Sequence, residues 1–430
     1  MRRVSPLKGM RGSCTVPGDK SISHRAALLG ALSREGMDIS GYAPGEDCGR
    51  TLACLEQLGC RVLREGSRVH VSRGEGIRES REVLYAGNSG TSARLLCGLL
   101  AGVPGFFGII AGDASLSTRP MDRVVAPLRS AGARIDGREG GNRLPLSIRG
   151  ASLVGGTFTL PVASAQVKTA LLLAGLSSQG SVTVTEPSPS RDHTERMLGS
   201  LGVPLVREEN KITLFPYPEL PGAKWEIPGD FSSAAFWIVG AALVRDSEVL
   251  LENVGLNPTR TGLLDVLERM GLSLQVENLR ESGGEPLGNL RIRSAFLEGT
   301  RVEASEVPRM VDELPVLAVA ATQAKGKTEI RGARELRYKE CDRIRGMAEG
   351  LAALGADIEE REDGWIIAGP TPLHGGSVKT LGDHRIAMAL SIAAAIARGP
   401  VELDDPACVN ISYPSFFDSL EDFRKGASEA

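Results

Sequence analysis

Six times along the chain a glycine or small polar residue opens an apolar helical run: GDKSISHRAALLGAL, GNSGTSARLLCGLL, ASAQVKTALLLAGL, GDFSSAAFWIVGAAL, DELPVLAVAATQAKG and GDHRIAMALSIAAAI. The runs start at Gly18, Gly87, Ala163, Gly229, Asp312 and Gly382, in steps of 69, 76, 66, 83 and 70 residues, and so steady a spacing marks duplicated units. A second marker keeps phase with the first, a helix end passing through glycine into a strand at LEQLGCRVL, LRSAGARID, LGSLGVPLV, LERMGLSLQV and LAALGADIE. Gly59, Gly132, Gly202, Gly271 and Gly355 stand where a left-handed helix cap belongs. The C-terminal FDSLEDFRKGASEA reads as the same helix stopping at Gly426, so the sixth unit should lack its strand, and the N-terminal strand is the candidate to supply it.

Units of about 70 residues are too small to close a core alone and should pack in groups, three to a domain. Short β-branched strands (GGTFTLPV, SVTVTEP, KITLFPY, EVLLENV, KTEIRG) alternate with the helices, which makes this an α/β chain. The turn-rich PYPELPGAKWEIPGD places one domain crossing near 221–229, and the other is expected near Pro17–Lys20. The expected domains are therefore 1–18 plus 229–430, and 19–228, joined by two adjacent crossings that make a hinge.

Net charge is −3 and aromatics are 4%, which leaves neither a global basic field nor a stacking surface for nucleic acid. The uncharged LLCGLLAGVPGFFGIIAG is interrupted by Pro104 and its glycines and reads as a buried helix, a turn and a buried strand, not a membrane span. MRRVSPLKGMRG lacks the apolar core of a secretory signal. Seven cysteines without CxxC or zinc spacing, Cys48, Cys54 and Cys60 among them, point to reduced thiols in a cytoplasm.

Helix N-termini carry unpaired N–H groups and partial positive charge, so several converging on one place form an anion site. Here their first turns also hold Lys20, Ser21 and Arg25, then Asn88 to Arg94, Ser164 to Lys168, and His384 with Arg385. Asp, Asn and Ser at such points are also ordinary caps, and RELRYKECDRIR alone would read as a solvated helix face. Cationic and amide side chains recurring in the same first turns, with Arg119, Arg191, Lys339, Glu340 and Arg343 in the loops between them, favour the anion site.

PGDKSISHR, GNSGT, STRP, SAQVK, DELP, YKECDRIR and GDHR, in this order and spacing from Gly18 to Pro414, resemble the 5-enolpyruvylshikimate-3-phosphate synthase family. GDKS, SAQVK, RDHTE and NPTR look like its class II branch. The resemblance implies a two-domain enolpyruvyl transferase fold, an inside-out α/β barrel of six βαβαββ repeats with the active site in the cleft between domains. It implies transfer of the enolpyruvyl group of phosphoenolpyruvate to the 5-hydroxyl of shikimate 3-phosphate, releasing phosphate, without metal or cofactor.

Carried onto this sequence, it implies that Arg119, Arg343 and Arg385, with Gly90 and Gln166, hold phosphoenolpyruvate. Ser21, Arg25, Ser164, Ala165, Gln166, Arg191 and Lys339 match the shikimate phosphate side, and Lys20 falls between the two ligands. Asp312 matches the base on the attacking hydroxyl and Glu340 the group that moves the proton at C3; read without the resemblance, Asp312 is an N-cap and Glu340 a partner for Arg343. The expected partners are these two small molecules, with no nucleic acid and no membrane, and the chain is expected to act as a cytoplasmic monomer.

Two departures stand out. NISYPSFF has Ile411 and Ser412 where some members carry a lysine, and Gly90 keeps the small residue that leaves room for the herbicide glyphosate. Of the alternatives, the transferase that uses UDP-N-acetylglucosamine shows Lys-Asn at the first helix and a cysteine five residues before the loop arginine, where this chain has Lys20-Ser21 and Ala114. A non-catalytic anion-binding repeat protein would have no use for Asp312 and Glu340 among so many cations.

Overall fold

Each of the six repeated runs forms a helix: Lys20–Gly30, Gly90–Ala101, Ala165–Gly175, Phe231–Leu243, Leu314–Gln323 and His384–Ile396. Five start on a residue whose side chain accepts a backbone N–H of the first turn, namely Asp19, Ser89, Ser164, Asp230 and Asp383. The sixth starts at Glu313, whose side chain does not cap the helix and which Pro315 follows at the second helical position. Beyond their polar first turns these helices are apolar on every face and therefore interior; every residue from Phe231 to Ala242 is buried.

The computed structural model describes residues 1–428 and divides into two compact units. One comprises Met1–Pro17, Pro228–Arg280 and Pro286–Ala430; the other comprises Gly18–Ile227 with Glu281–Glu285. Each has its own apolar core, one running from Val4 through Phe231 to Phe423, the other from Ile22 to Ile227.

In the unit built on Gly18–Ile227, three four-stranded sheets share one plan: a parallel pair, then two antiparallel neighbours. Gly156–Thr159 runs parallel to Val182–Thr185, which pairs antiparallel with Lys211–Leu214 and that in turn with Leu205–Glu208. The last strand, Ala223–Glu226, returns to lie parallel to Met37–Ser40 and completes the first sheet. Helices Gly90–Ala101 and Ala165–Gly175 approach so closely that a side chain at Gly98 would stand 2.1 Å from the Ala170 carbonyl oxygen. The uncharged stretch is the latter part of helix Gly90–Ala101, a turn and the strand Phe107–Ala111, and no described helix is long and apolar enough to cross a membrane.

The other unit closes with the chain's own beginning. Arg11–Thr15 lies parallel to Glu248–Gly255, and Arg2–Val4 pairs antiparallel with Val401–Leu403 in a three-stranded sheet. The sixth repeat thus takes a strand from the N-terminus, as its missing segment required. All five inter-element glycines adopt the left-handed conformation, with φ between +75° at Gly202 and +104° at Gly132. Gly426 corrects the expected helix stop, because the last helix runs on through it from Phe416 to Ser428. Its role is contact: an added Cβ would stand 2.5 Å from the Arg11 carbonyl oxygen, so glycine lets this helix lie against the N-terminal strand.

Candidate active site

In the unit built on Gly18–Ile227, side chains tie the first turns of three repeat helices into one polar mesh. Lys20 opens its helix and pairs with Asp47 at 2.5 Å. One turn on, the buried Arg25 donates to the Ser21 carbonyl, Thr169 and Thr194, each at 2.8 Å. These acceptors are neutral, and burial pulls the Arg25 pKa down to about 10. His24 meets Thr51 at 2.7 Å, Thr51 meets Ser92 at 2.7 Å, and burial, then Lys20 and Arg25, hold that imidazole well below its ordinary range.

Gln166 knits the next two helices by accepting from Arg94 at 3.0 Å and donating to Thr91 at 2.9 Å. Arg119 donates to the Asn88 amide oxygen at 2.6 Å and to Ser115 at 3.2 Å. Gly90 leaves the space these guanidinium ends use, since an added Cβ would stand 2.6 Å from Arg94 Nη1 and 3.7 Å from Arg119 Nη1. Burial, then the neighbouring Arg119, lowers Arg94 to about 10.

Ser164 caps its helix, Ala165 begins it, and the Ser164 N–H donates to Glu186 at 3.0 Å. Glu186 and Glu195 hold Lys168 at 2.7 and 2.8 Å, and they raise its pKa against the opposing effect of burial. Arg191 lies half-buried in the loop before helix His193–Ser200, near enough to Arg25 for the two charges to repel. Because the guanidiniums of Arg25, Arg94 and Arg119 hydrogen-bond to neutral groups, the site carries buried positive charge, which an anion would offset.

The other unit repeats the device with carboxylates included. Asp383 caps helix His384–Ile396 and also accepts Arg343 Nε at 2.7 Å. Arg343 is 1% exposed and has two further carboxylate partners, Glu340 at 2.6 Å and Asp312 at 3.4 Å. Burial alone would lower the Arg343 pKa; Asp383, Glu340 and Asp312 hold it well above the usual value. Arg385 donates to the Asp312 carbonyl at 3.2 Å, with its Nε 3.8 Å from Asp312 Oδ1. Asp312 stands one residue before the cap, so its carboxylate is given to arginines and does not cap the helix.

Asp312, Glu340, Arg343 and Arg385 therefore stand together, whereas Lys339 pairs with Glu335 at 2.5 Å. Sequence reasoning overlooked several of the residues that brace these groups. Arg260 lies within NPTR, and Thr194 and Glu195 within RDHTE, where only Arg191 carried a role; Ser232 and Glu186 fall inside the helical run GDFSSAAFWIVGAAL and the strand SVTVTEP without being singled out, and Asp47 had no motif signal. Ser232 donates to Glu313 and accepts from Arg260 Nη2 at 2.6 Å. Tyr413, from the loop that departs from some relatives, is buried and accepts from Trp237 at 3.0 Å. Cys48, Cys54 and Cys60 are buried, and none of the three is in a disulfide.

Comparison with known proteins covers nearly the whole chain. The family model described as EPSP synthase (3-phosphoshikimate 1-carboxyvinyltransferase) matches residues 4–420. The 3-phosphoshikimate 1-carboxyvinyltransferase of Shouchella clausii (strain KSM-K16) is 50% identical over 418 residues, 97% of each chain. That of Desulforudis audaxviator (strain MP104C) is 49% identical over 425 residues, 98% of this chain and 99% of the relative. A solved structure of EPSP synthase from Acinetobacter baumannii superposes with a TM-score of 0.90 at 42% identity, covering 98% of this chain and 97% of that one.

Proposed function

Because the chain belongs to the EPSP synthase family, we propose that the two charged networks divide the work of that family's transfer between them. The activity is that of a 3-phosphoshikimate 1-carboxyvinyltransferase of the shikimate pathway. The enolpyruvyl group of phosphoenolpyruvate passes to the 5-hydroxyl of shikimate 3-phosphate, and inorganic phosphate leaves.

Both substrates are multiply charged anions, so the first requirement is cations with directed donors. Lys20, Ser21, Arg25, Ser164, Ala165, Gln166, Arg191 and Lys339 form the proposed shikimate 3-phosphate set, in which Arg25 hydrogen-bonds to hydroxyls and not to a carboxylate. Arg119, Arg343, Arg385, Gln166 and Gly90 form the proposed phosphoenolpyruvate set, since a planar guanidinium meets phosphate or carboxylate with two parallel bonds.

The chemistry then needs two proton carriers. C3 of the enol takes a proton, the 5-oxygen adds to C2 as its own proton leaves, and the tetrahedral adduct expels phosphate while C3 gives its proton back. Asp312 is the proposed base on the hydroxyl and Glu340 the proposed carrier at C3, with Lys20 beside the reacting groups. The observation that carries this reading is the pair of carboxylates on one arginine, Glu340 at 2.6 Å and Asp312 at 3.4 Å from Arg343. An anion arriving at Arg343 competes for that guanidinium, which frees both carboxylates to move protons.

We also read the chain as a cytoplasmic monomer, to be checked by light scattering on the purified protein. The catalytic reading is tested by phosphate release from phosphoenolpyruvate. Release should depend on shikimate 3-phosphate, and Asp312→Ala should lower it by roughly 10²–10⁴-fold. A protein that binds both anions yet releases no phosphate would refute the reading.

A further inference from the structure

We propose that Arg260 is a positioning residue that orients the Asp312 carboxylate and sets its basicity during turnover, an inference that rests on Asp312 being the base. Arg260 precedes helix Gly262–Arg269, and its side chain is 4% exposed. Its Nη1 stands 3.8 Å from Asp312 Oδ2, while Arg343 and Arg385 stand on Oδ1 at 3.4 and 3.8 Å. Guanidiniums thus stand at both oxygens of this carboxylate.

The two sides are not equivalent. In the proposed reaction Arg343 and Arg385 bind phosphoenolpyruvate, whose phosphate and carboxylate draw them from Asp312. Arg260 is committed inward, with Nη2 2.6 Å from Ser232, 3.4 Å from Glu313 and 3.5 Å from Asp230. It is therefore the cation that stays with Asp312 when substrate is present. Without it, four carboxylates remain on the arginines that Asp312 shares, Asp230 and Glu313 around Arg260 and Glu340 and Asp383 around Arg343. The neutral His384 beside Asp383 offers no replacement charge. Negative charge gathered there without Arg260 would favour the protonated acid, which cannot accept the hydroxyl proton.

The test is the pH dependence of kcat, which reports groups in the substrate complex. Arg260→Gln should move the acid limb upward by about one pH unit or more, because a counter-charge near 4 Å is lost. Arg260→Lys keeps the charge and should move the limb less than half as far. A folded Arg260→Gln enzyme with an unmoved limb, or equal shifts in both variants, overturns the proposal. Should Arg260→Gln fail to fold, Glu313→Gln removes a carboxylate that competes for Arg260 and repels Asp312, so the limb must move downward; no shift or an upward one overturns it. Asp312→Asn in the same series separates the two readings. If it keeps both activity and the acid limb, the base assignment itself falls; if it is inactive while Arg260→Gln leaves the limb in place, only the role of Arg260 falls.

Discussion

Asp383 caps a helix and anchors an arginine with one carboxylate, accepting the Arg385 N–H at 2.8 Å and Arg343 Nε at 2.7 Å. Burial would push this carboxyl up, but Arg343 outweighs it and keeps the group ionised. The adjacent His384 is the opposite case. Burial, then the charge of Arg385, lowers it from 6.5 to about 4, and its Nδ1 is buried without a hydrogen-bond partner among the described residues. A depressed imidazole means the unfolded chain binds the extra proton between those two values, so stability is lost as pH falls through that window. The total is about 3 kcal/mol by the time the folded pKa is reached. Urea midpoints of the ligand-free protein should therefore drop between pH 6.5 and 5, and His384→Gln should flatten that slope. Equal slopes for both proteins would mean His384 does not titrate this way.

At the scale of elements, a glycine after a helix and a glycine inside one make opposite demands. Gly202 has φ +75° with open space around an added Cβ, so Gly202→Ala should cost only the left-handed strain, about 1–2 kcal/mol. Gly426 lies within helix Phe416–Ser428, where intrinsic propensity alone makes alanine better by about 1 kcal/mol. Contact reverses that sign, because the new methyl would meet backbone at 2.5 Å. Gly426→Ala should lower the urea midpoint by an amount equivalent to about 1–3 kcal/mol, and a rise would show that the helix is not pressed on the N-terminal strand. The same contrast shows what the sequence can convey. Helix starts and left-handed caps are local and were legible, whereas the stop expected at Gly426 failed because its reason lies at Arg11, far away in the chain. In the site, Lys20 and Arg385 announced themselves by charge at helix starts, and Arg343 by its place in a charged loop between them. Ser232, Arg260 and Glu313 did not, since a hydroxyl, a loop arginine and a cap without a capping bond acquire meaning only when packing brings them together.

For the whole molecule, the decisive fact is that the first seventeen residues belong to a core assembled mostly from the second half of the chain. They supply strands to two sheets, against Glu248–Gly255 and against Val401–Leu403, and they place Val4, Met10 and Val16 in that unit's apolar interior. Removing them would expose two sheet edges and strip three buried side chains, at about 1.5–3 kcal/mol for each large apolar one. The sum is comparable to the entire stability of many domains. The Gly18–Ile227 core contains none of these residues and its first sheet is closed by Ala223–Glu226, so it should survive the deletion. Tryptophans report the two cores separately, Trp237 and Trp365 in one and Trp225 in the other. In a chain lacking residues 1–17, a variant retaining Trp225 alone should keep a cooperative urea transition, while Trp225→Phe, which leaves the other two, should show red-shifted emission without one. If both reporters stay native, the N-terminal strands are dispensable. If both are lost, the core around Trp225 cannot fold without its neighbour, and two autonomous units is the wrong description of this chain.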